Sequence, residues 1–230
     1  MKKVLIVETN VPKYENHNTK TGLWLGELTH FYEEITKAGY EADFVSPKGG
    51  EVPLDPVSMK LAKKEDKKWL ENSEFRKRAI ESTKKPSEIN PDEYFAIYYT
   101  GGHGVMWDFP DNEEIQKIAE KIYSNGGYIT AVCHGVVGLL NLKDKDGKYL
   151  IDGKKVTGFT NTEEFLSGKT GKVPFSAEDA LKSRNSIYSK KRFFKSYAVK
   201  DGRLVTGQNP WSPREVGKVL VDSVNRQNYK

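Results

Sequence analysis

Short apolar runs separated by helical patterns constrain this chain more than any other feature of its sequence. The runs Tyr94–Tyr99 and Tyr128–Val132 are almost wholly apolar, as expected of strands that a sheet buries on both faces. Between them, Glu114 follows Asp111 at a helix-start spacing, and Gly126-Gly127 marks a helix end. Alternation of this kind indicates parallel strands with helices packed on both faces of the sheet. The sequence therefore predicts a doubly wound α/β fold with a mostly parallel sheet.

Further segments extend this pattern to both ends of the chain. Ser212 and Pro213 form a helix start, with an N-cap residue followed by proline in the first turn. Asp201-Gly202 is a short-hairpin signal. The remaining predicted strands are Lys3–Val7, Ala42–Val45, Lys155–Thr160 and the two hairpin arms Tyr197–Val199 and Leu204–Thr206.

Residues at about 48–91 do not follow the strand–helix alternation. They carry helical charge patterns with little hydrophobicity, but Trp69 and Phe75 among them need a surface on which to be buried. We interpret this stretch as an inserted helical cap. The chain, residues 1–230, is then one α/β domain with a small cap insertion.

The segment around Cys133 has the pattern of a nucleophile turn. Cys133 follows the apolar run directly, and the next residues can start a helix. A nucleophile on a tight strand-to-helix turn requires small residues two positions before and after it, and Ala131 and Gly135 occupy those positions. Such a turn places the thiol at the carboxyl end of the sheet, where open α/β folds bind ligands. We expect the following helix N-terminus to lower the thiol pKa. Free cysteines are otherwise often small buried hydrophobes, and that is the alternative.

Composition excludes several classes of protein. The single cysteine excludes an internal disulfide, which favours the cytoplasm, and no apolar stretch is long enough to span a membrane. The net charge of +5 is spread among interleaved acidic residues, so we expect no nucleic-acid partner. The four histidines lack a paired ligand spacing, which predicts no metal and no other cofactor.

Several motifs, taken together and in order, resemble the ThiJ/PfpI superfamily. The likeness runs along nearly the whole chain. The motifs are Thr21-Gly22-Leu23-Trp24-Leu25-Gly26-Glu27-Leu28, Thr100-Gly101-Gly102-His103-Gly104, Ala131-Val132-Cys133-His134-Gly135 and Thr206-Gly207-Gln208-Asn209-Pro210. The resemblance is greatest to the glyoxalase III branch, which includes stress-inducible, chaperone-like members. It implies a flavodoxin-like, class I glutamine-amidotransferase-like sandwich.

The resemblance also implies roles for individual residues. Cys133 is the expected nucleophile, His134 the acid/base, and Glu27 the carboxyl group that contacts the sulfur. The amides of Gly102 and His134 are expected to form an oxyanion hole. The third member of the triad is expected to be Glu164, which follows the motif lead-in, with the neighbouring Glu163 as the open alternative.

The implied activity is a glutathione-independent glyoxalase that converts methylglyoxal and water to lactate through a Cys133 hemithioacetal. The substrate is a small 2-oxoaldehyde, bound in a small pocket lined by Trp24 and Trp107, and the protein is expected to be a homodimer. Alternatives from other classes are a stress-response holding chaperone that binds unfolded proteins and senses oxidants through Cys133, or a cysteine amidase or peptidase. Repair of glycated proteins is a further activity of the superfamily.

Overall fold

The structure, a computed structural model, describes residues 3–228, with the backbone alone for residues 227 and 228. Its strands are β1 (Lys3–Val7), β2 (Glu41–Val45), β3 (Tyr94–Tyr99), β4 (Tyr128–Val132), β5 (Lys155–Val156), β6 (Ile187–Tyr188), β7 (Ala198–Asp201) and β8 (Leu204–Gly207). The centre of the fold is a six-stranded sheet in the order β2-β1-β3-β4-β8-β7. All neighbouring pairs in this sheet are parallel except β7–β8, which forms an antiparallel hairpin.

Helices cover both faces of this sheet, so the predicted fold class is confirmed. The α-helices are α1 (Leu25–Lys37), α2 (Pro56–Leu61), α3 (Lys64–Glu71), α4 (Ser73–Arg76), α5 (Val105–Asp108), α6 (Glu113–Ser124), α7 (Asn161–Leu166), α8 (Ala177–Ser183) and α9 (Pro213–Asn228). One core layer lies under α6 and α8, and the other lies under α1 and α9, where Phe31 stacks on Tyr98 of β3 with ring centroids 3.6 Å apart. Within residues 3–228, no helix has the length and apolarity that a bilayer crossing requires.

The segment that sequence analysis interpreted as a cap carries α2, α3 and α4, followed by a π-helical turn at Lys77–Glu81. The chain leaves and rejoins the sheet edge at one place, where Gly50 and Thr83 form an antiparallel bridge. The two aromatic residues that needed burial both pack on the main fold. Trp69 lies edge-on to Tyr32 of α1 with centroids 4.9 Å apart, and Phe75 lies edge-on to Phe44 of β2 at 5.7 Å.

The predicted strand Lys155–Thr160 is wrong in its length. Only Lys155–Val156 pair, and they form a separate two-stranded sheet with β6. From Thr157 onward the backbone bonds elsewhere. The Thr157 N–H donates to Oγ1 of Thr206 at 2.9 Å, and the Phe159 N–H donates to the carbonyl of Cys133 at 3.2 Å. The segment is therefore drawn away from strand pairing and across the end of β4.

Candidate active site

The carboxyl ends of β1, β3 and β4 lie side by side, because these parallel strands are neighbours in the sheet. The turn after β3 supplies Gly101 and Gly102, and the residue directly after β4 is Cys133. The first turn of α1 brings Glu27 to the same place. Its position is fixed from the sheet, since the Tyr98 hydroxyl donates to the Glu27 carbonyl at 2.8 Å. Three separate elements thus bring these residues together at the carboxyl end of the sheet.

Cys133 occupies a strained backbone conformation. Its φ is 57°, in the left-handed region that residues with a side chain rarely adopt, at a cost of about 1–3 kcal/mol. The turn is also sterically tight. A Cβ on Gly135 would lie 2.3 Å from the Thr100 carbonyl oxygen and 2.5 Å from that of Tyr99. The small residue that sequence analysis required two positions after the cysteine is therefore necessary for the 3₁₀ segment Cys133–Leu139 to pack against β3.

Glu27 is a fully buried carboxyl group beside the cysteine. A Cβ added to Gly101 would be 2.3 Å from Oε2 of Glu27 and 3.0 Å from Cβ of Cys133, so the glycine leaves the two side chains in contact range. The Cys133 thiol and the Gly101 amide lie within reach of this carboxyl, but neither oxygen accepts a hydrogen bond of standard geometry. Burial therefore dominates and raises the pKa of Glu27 to about 8. The group is mainly protonated at neutral pH.

His134 faces the thiol from the other side. Its Nδ1 lies 3.5 Å from Sγ of Cys133, and its ring packs on Phe159 with centroids 4.3 Å apart. The imidazole is 1% exposed, so its two nitrogens interact with protein groups in a dry environment. Nε2 lies 2.6 Å from Oε2 of Glu164, the distance of a charge-assisted hydrogen bond. The cysteine, histidine and glutamate form a continuous chain of contacts.

Glu164 is the carboxylate in this chain, and it binds two histidines. Its second oxygen, Oε1, lies 2.7 Å from Nε2 of His103. Burial alone would raise the pKa of Glu164, but the hydrogen bonds from His134 and His103, and the positive charge that these rings gain on protonation, outweigh burial and hold this pKa well below its usual range. Because the ionised carboxylate only accepts, each Nε2 carries the proton. Nδ1 of His134 is then left with its lone pair directed toward the thiol.

Glu163, the other candidate for the third position, lies in a different environment. Its Oε2 accepts from the backbone and hydroxyl of Thr160, and its Oε1 accepts from the Phe194 backbone and from the Gln208 and Asn209 side chains, all at 2.8–3.0 Å. None of these contacts is with His134. Glu163 ties the loop that carries Phe194, a residue of the cavity wall, to α7 and to the end of β8.

His103 is the residue whose place in this network sequence analysis missed. It shares Glu164 with His134, the two imidazole centroids are 4.2 Å apart, and burial and the neighbouring His134 lower its pKa. The only signal in the sequence was its position after Gly101-Gly102 at a strand end. Among residues 3–228, the donor atoms of His103, His134 and Glu164 lie within 4.8 Å of one another, a set that suits a divalent metal. The expectation of no metal rested on spacing along the sequence, which does not reveal a group that the fold assembles. A metal ion bound here would displace both Nε2 protons.

The expectation of a lowered thiol pKa is also wrong. Cys133 is 2% exposed, and burial together with the nearby Glu27 raises its pKa well above the ordinary value. The His134 backbone N–H acts in the opposite direction but is outweighed. The structure therefore holds a neutral thiol, and the base needed to remove its proton is the imidazole of His134.

A cavity of about 170 Å³ gives access to this network. Gly102, whose amide was expected in the oxyanion hole, lies in its wall beside Cys133 and His134. Of the two tryptophans expected there, only Trp24 lines it. Trp107 instead packs edge-on to Tyr14 with centroids 5.5 Å apart. The remaining wall residues are Leu61, His103, Phe159, Ser167, Phe194, Pro210 and Trp211.

Comparison with known proteins places these features in a family context. The DJ-1/PfpI family model matches residues 22–223. The glutathione-independent glyoxalase HSP31 of Saccharomyces cerevisiae is 35% identical, over 97% of this chain and 98% of that protein. The crystal structure of glyoxalase III from Candida albicans superposes with a TM-score of 0.87 at 33% identity, over 96% of both chains. The REP24 protein of Francisella tularensis superposes with a TM-score of 0.93 at 41% identity, over 97% of this chain and 99% of that one.

Proposed function

The chain belongs to the DJ-1/PfpI family, and we propose that it is a glutathione-independent glyoxalase that converts methylglyoxal and water to lactate. The observation that carries the proposal is a buried thiol held between a carboxyl group that keeps its proton and a histidine paired with a carboxylate. This arrangement supplies a nucleophile and a base in the wall of one small cavity, with an acid buried beside the nucleophile. Relatives of nearly the same length are named for that activity.

The first step is addition of the thiol to the aldehyde carbon, C1. As the C–S bond forms, the thiol proton moves to Nδ1 of His134, and Glu164 stabilises the resulting imidazolium through Nε2. The carbonyl oxygen gains negative charge and is held by the amides of Gly102 and His134. His134 then returns the proton to this oxygen, which completes a hemithioacetal and leaves Nδ1 free again.

The second step moves hydrogen from C1 to C2. Nδ1 of His134 takes the proton from C1 while Glu27 donates its proton to the C2 oxygen, which gives an enediol. His134 then protonates C2 and the C1 hydroxyl returns its proton to Glu27, which leaves a thioester. Glu27 carries its proton at neutral pH, so its role is that of an acid that donates to the sulfur or to a substrate oxygen. The oxidation and the reduction take place within the substrate, since C1 is oxidised as C2 is reduced. The scheme therefore uses no external oxidant, reductant or metal.

In the last step water attacks the thioester, lactate leaves and the thiol regains its proton. The small cavity suits this sequence, because exclusion of bulk water protects the enediol until the hydrogen transfer is complete. Each cycle consumes one methylglyoxal and one water molecule and releases one lactate.

The alternative activities fit this site less well. A redox sensor needs an accessible thiol of low pKa, whereas Cys133 is buried and its pKa is raised. A peptidase needs an extended groove, whereas the cavity above Cys133 holds about 170 Å³. Assembly as a homodimer and action on glycated or unfolded proteins remain predictions from the resemblance, and residence in the cytoplasm remains a prediction from the single cysteine.

The direct test is incubation of the purified protein with methylglyoxal in the absence of glutathione. We expect one lactate for each methylglyoxal consumed and no increase in rate when glutathione is added. The Glu113→Gln variant changes an exposed glutamate at the start of α6 and should match the wild type. If methylglyoxal is not consumed, or lactate forms only with glutathione present, the proposed function is incorrect.

A further inference from the structure

A second cavity adjoins the one above Cys133 and has no part in the scheme described. It holds about 340 Å³, roughly twice the volume of the reaction cavity, and we call it the side cavity. The two cavities share four wall residues, which are Trp24, Leu61, Pro210 and Trp211. The remaining wall of the side cavity is formed by Gly26, His30, Ser58, Ala62, Lys63, Asp66 and Arg214.

The wall that the two cavities share is formed by apolar side chains. Two of them, Leu61 and Trp211, are 61% and 50% exposed, so the shared wall reaches the protein surface. A substrate longer than methylglyoxal, with its reactive end at Cys133, would extend along these residues toward the side cavity.

The polar groups of the side cavity are a mixture of donors and acceptors. Ser58 is buried and its oxygen accepts from the Leu25 amide at 2.7 Å, which leaves its hydroxyl proton available for a ligand. Asp66 is buried; its Oδ2 accepts from the Lys63 amide at 2.8 Å, and its Oδ1 accepts from the Thr29 hydroxyl and lies 3.1 Å from Nε2 of His30 without hydrogen-bond alignment. A hydroxyl group both donates and accepts hydrogen bonds. A cavity that offers donors and acceptors side by side therefore suits a ligand with several hydroxyl groups better than a ligand with a single charged group.

The aromatic groups of the same cavity point to the same ligand chemistry. Trp24 and the half-exposed Trp211 present indole surface next to these polar side chains. A large apolar face with a polar rim suits a chain whose C–H and O–H groups alternate. The charge of Arg214 does not contribute to anion binding, since its guanidinium is already paired with Glu33 and Glu34.

The glycine at position 26 keeps the side cavity open. Gly26 and the acid Glu27 are neighbours in the first turn of α1. Gly26 lines the side cavity, whereas Glu27 lies beside Cys133. A Cβ on Gly26 would lie 3.5 Å from the His30 ring, so any larger side chain would extend into the space beside His30 and Asp66. The turn that positions the acid thus also leaves room for a longer substrate.

We propose that the side cavity binds the polyhydroxylated chain of sugar-derived 2-oxoaldehydes while their aldehyde reacts at Cys133. The inference rests on the proposed function and extends it to a substrate class. The reaction is balanced as before: C1 becomes the carboxylate, C2 becomes the secondary alcohol, and one water is consumed. For 3-deoxyglucosone the product is the corresponding deoxyaldonic acid.

The test compares 3-deoxyglucosone with methylglyoxal on the wild type and on Ala62→Phe. Ala62 lines the side cavity but not the reaction cavity, so phenylalanine there fills only the side cavity. We expect kcat/KM for 3-deoxyglucosone to fall about 10-fold or more, mainly through KM, and kcat/KM for methylglyoxal to stay within about twofold. Lys60→Phe introduces the same side chain at an exposed position of α2 outside both cavities, and both substrates should be unaffected.

A milder variant guards against misfolding of Ala62→Phe. Lys63→Met keeps the length of an exposed side chain but removes its donor, and KM for 3-deoxyglucosone should rise about threefold with no change for methylglyoxal. The subsite is refuted if the wild type uses methylglyoxal but not 3-deoxyglucosone. Equal losses on both substrates in Ala62→Phe and no selective effect in Lys63→Met would refute it as well. Failure to use either aldehyde would instead refute the proposed function.

Discussion

Replacing Cys133 by alanine is expected to lower kcat for methylglyoxal by about 10⁴-fold or more. In the proposed scheme, each intermediate before lactate is covalently bound to this sulfur, so no other group of the cavity can continue the reaction without it. His134 and Glu164 remain in place in the variant but have no thiol to deprotonate. The measurement is lactate formation under saturating methylglyoxal, compared with the uncatalysed rate.

The fold of the Cys133→Ala variant should survive. Alanine meets the same restriction at positive φ as cysteine, so the turn gains no new strain, and the loss of one buried sulfur costs about 1 kcal/mol. Thermal unfolding within a few degrees of the wild type is the control. Lactate formation within tenfold of the wild type by a folded Cys133→Ala protein would be incompatible with a cysteine nucleophile.

Replacing Glu27 by glutamine is expected to stabilise the protein, and the gain should increase with pH. Burial raises the pKa of Glu27 from 4.5 to about 8, so the folded protein holds a proton that the unfolded chain releases. The stability that comes from a neutral carboxyl is fully present below pH 4.5 and is lost as the pH rises through 8. The shift corresponds to about 5 kcal/mol above pH 8, a cost that the neutral glutamine avoids.

Thermal unfolding of the wild type and Glu27→Gln at pH 5 and at pH 9 measures this difference. We expect similar midpoints at pH 5 and a midpoint about 10 °C higher for the variant at pH 9. Glu113→Gln, at an exposed position, should follow the wild type at both values. A gain for Glu27→Gln that is equal at the two pH values, or absent at both, would show that Glu27 does not keep its proton in the folded protein.

Much of the sheet can be predicted from the sequence, because its strands are short and almost wholly apolar. The bounds of β1, β3 and β4 agree with the predicted runs. The predicted hairpin also forms, but its two-residue turn is Gly202-Arg203, because Asp201 pairs with Leu204. The tight turn at Cys133 was also visible, since Gly135 has a steric reason that depends only on local geometry. Features that depend only on local sequence can be predicted without knowledge of the tertiary structure.

Features set by contacts between distant segments could not be predicted in the same way. The run Lys155–Thr160 has strand composition, but the Thr206 hydroxyl and the Cys133 carbonyl take its backbone donors. His103 and Glu164 are far apart in the chain, and nothing in their spacing indicates that one carboxylate binds two histidines. Trp107 was expected in the cavity wall, whereas Phe194 lies there because Glu163 holds its backbone.

The protonation states of Cys133 and Glu27 could not be predicted from the sequence either. Sequence analysis expects a helix N-terminus after Cys133 to favour the thiolate. The segment is instead a 3₁₀ helix that includes Cys133, and complete burial beside Glu27 raises the thiol pKa. Burial of Glu27 likewise follows from how α1 packs on β3 through Tyr98, not from the residues around it in the chain. Such shifts depend on how much water the fold removes from a group.

The most direct measurement is mass spectrometry of the peptide that carries Cys133, taken from enzyme quenched in acid while it turns over methylglyoxal. We predict that this peptide gains the mass of one methylglyoxal during turnover, and that the gain disappears once the substrate is exhausted. An unmodified peptide throughout steady lactate formation would contradict the covalent role assigned to this sulfur.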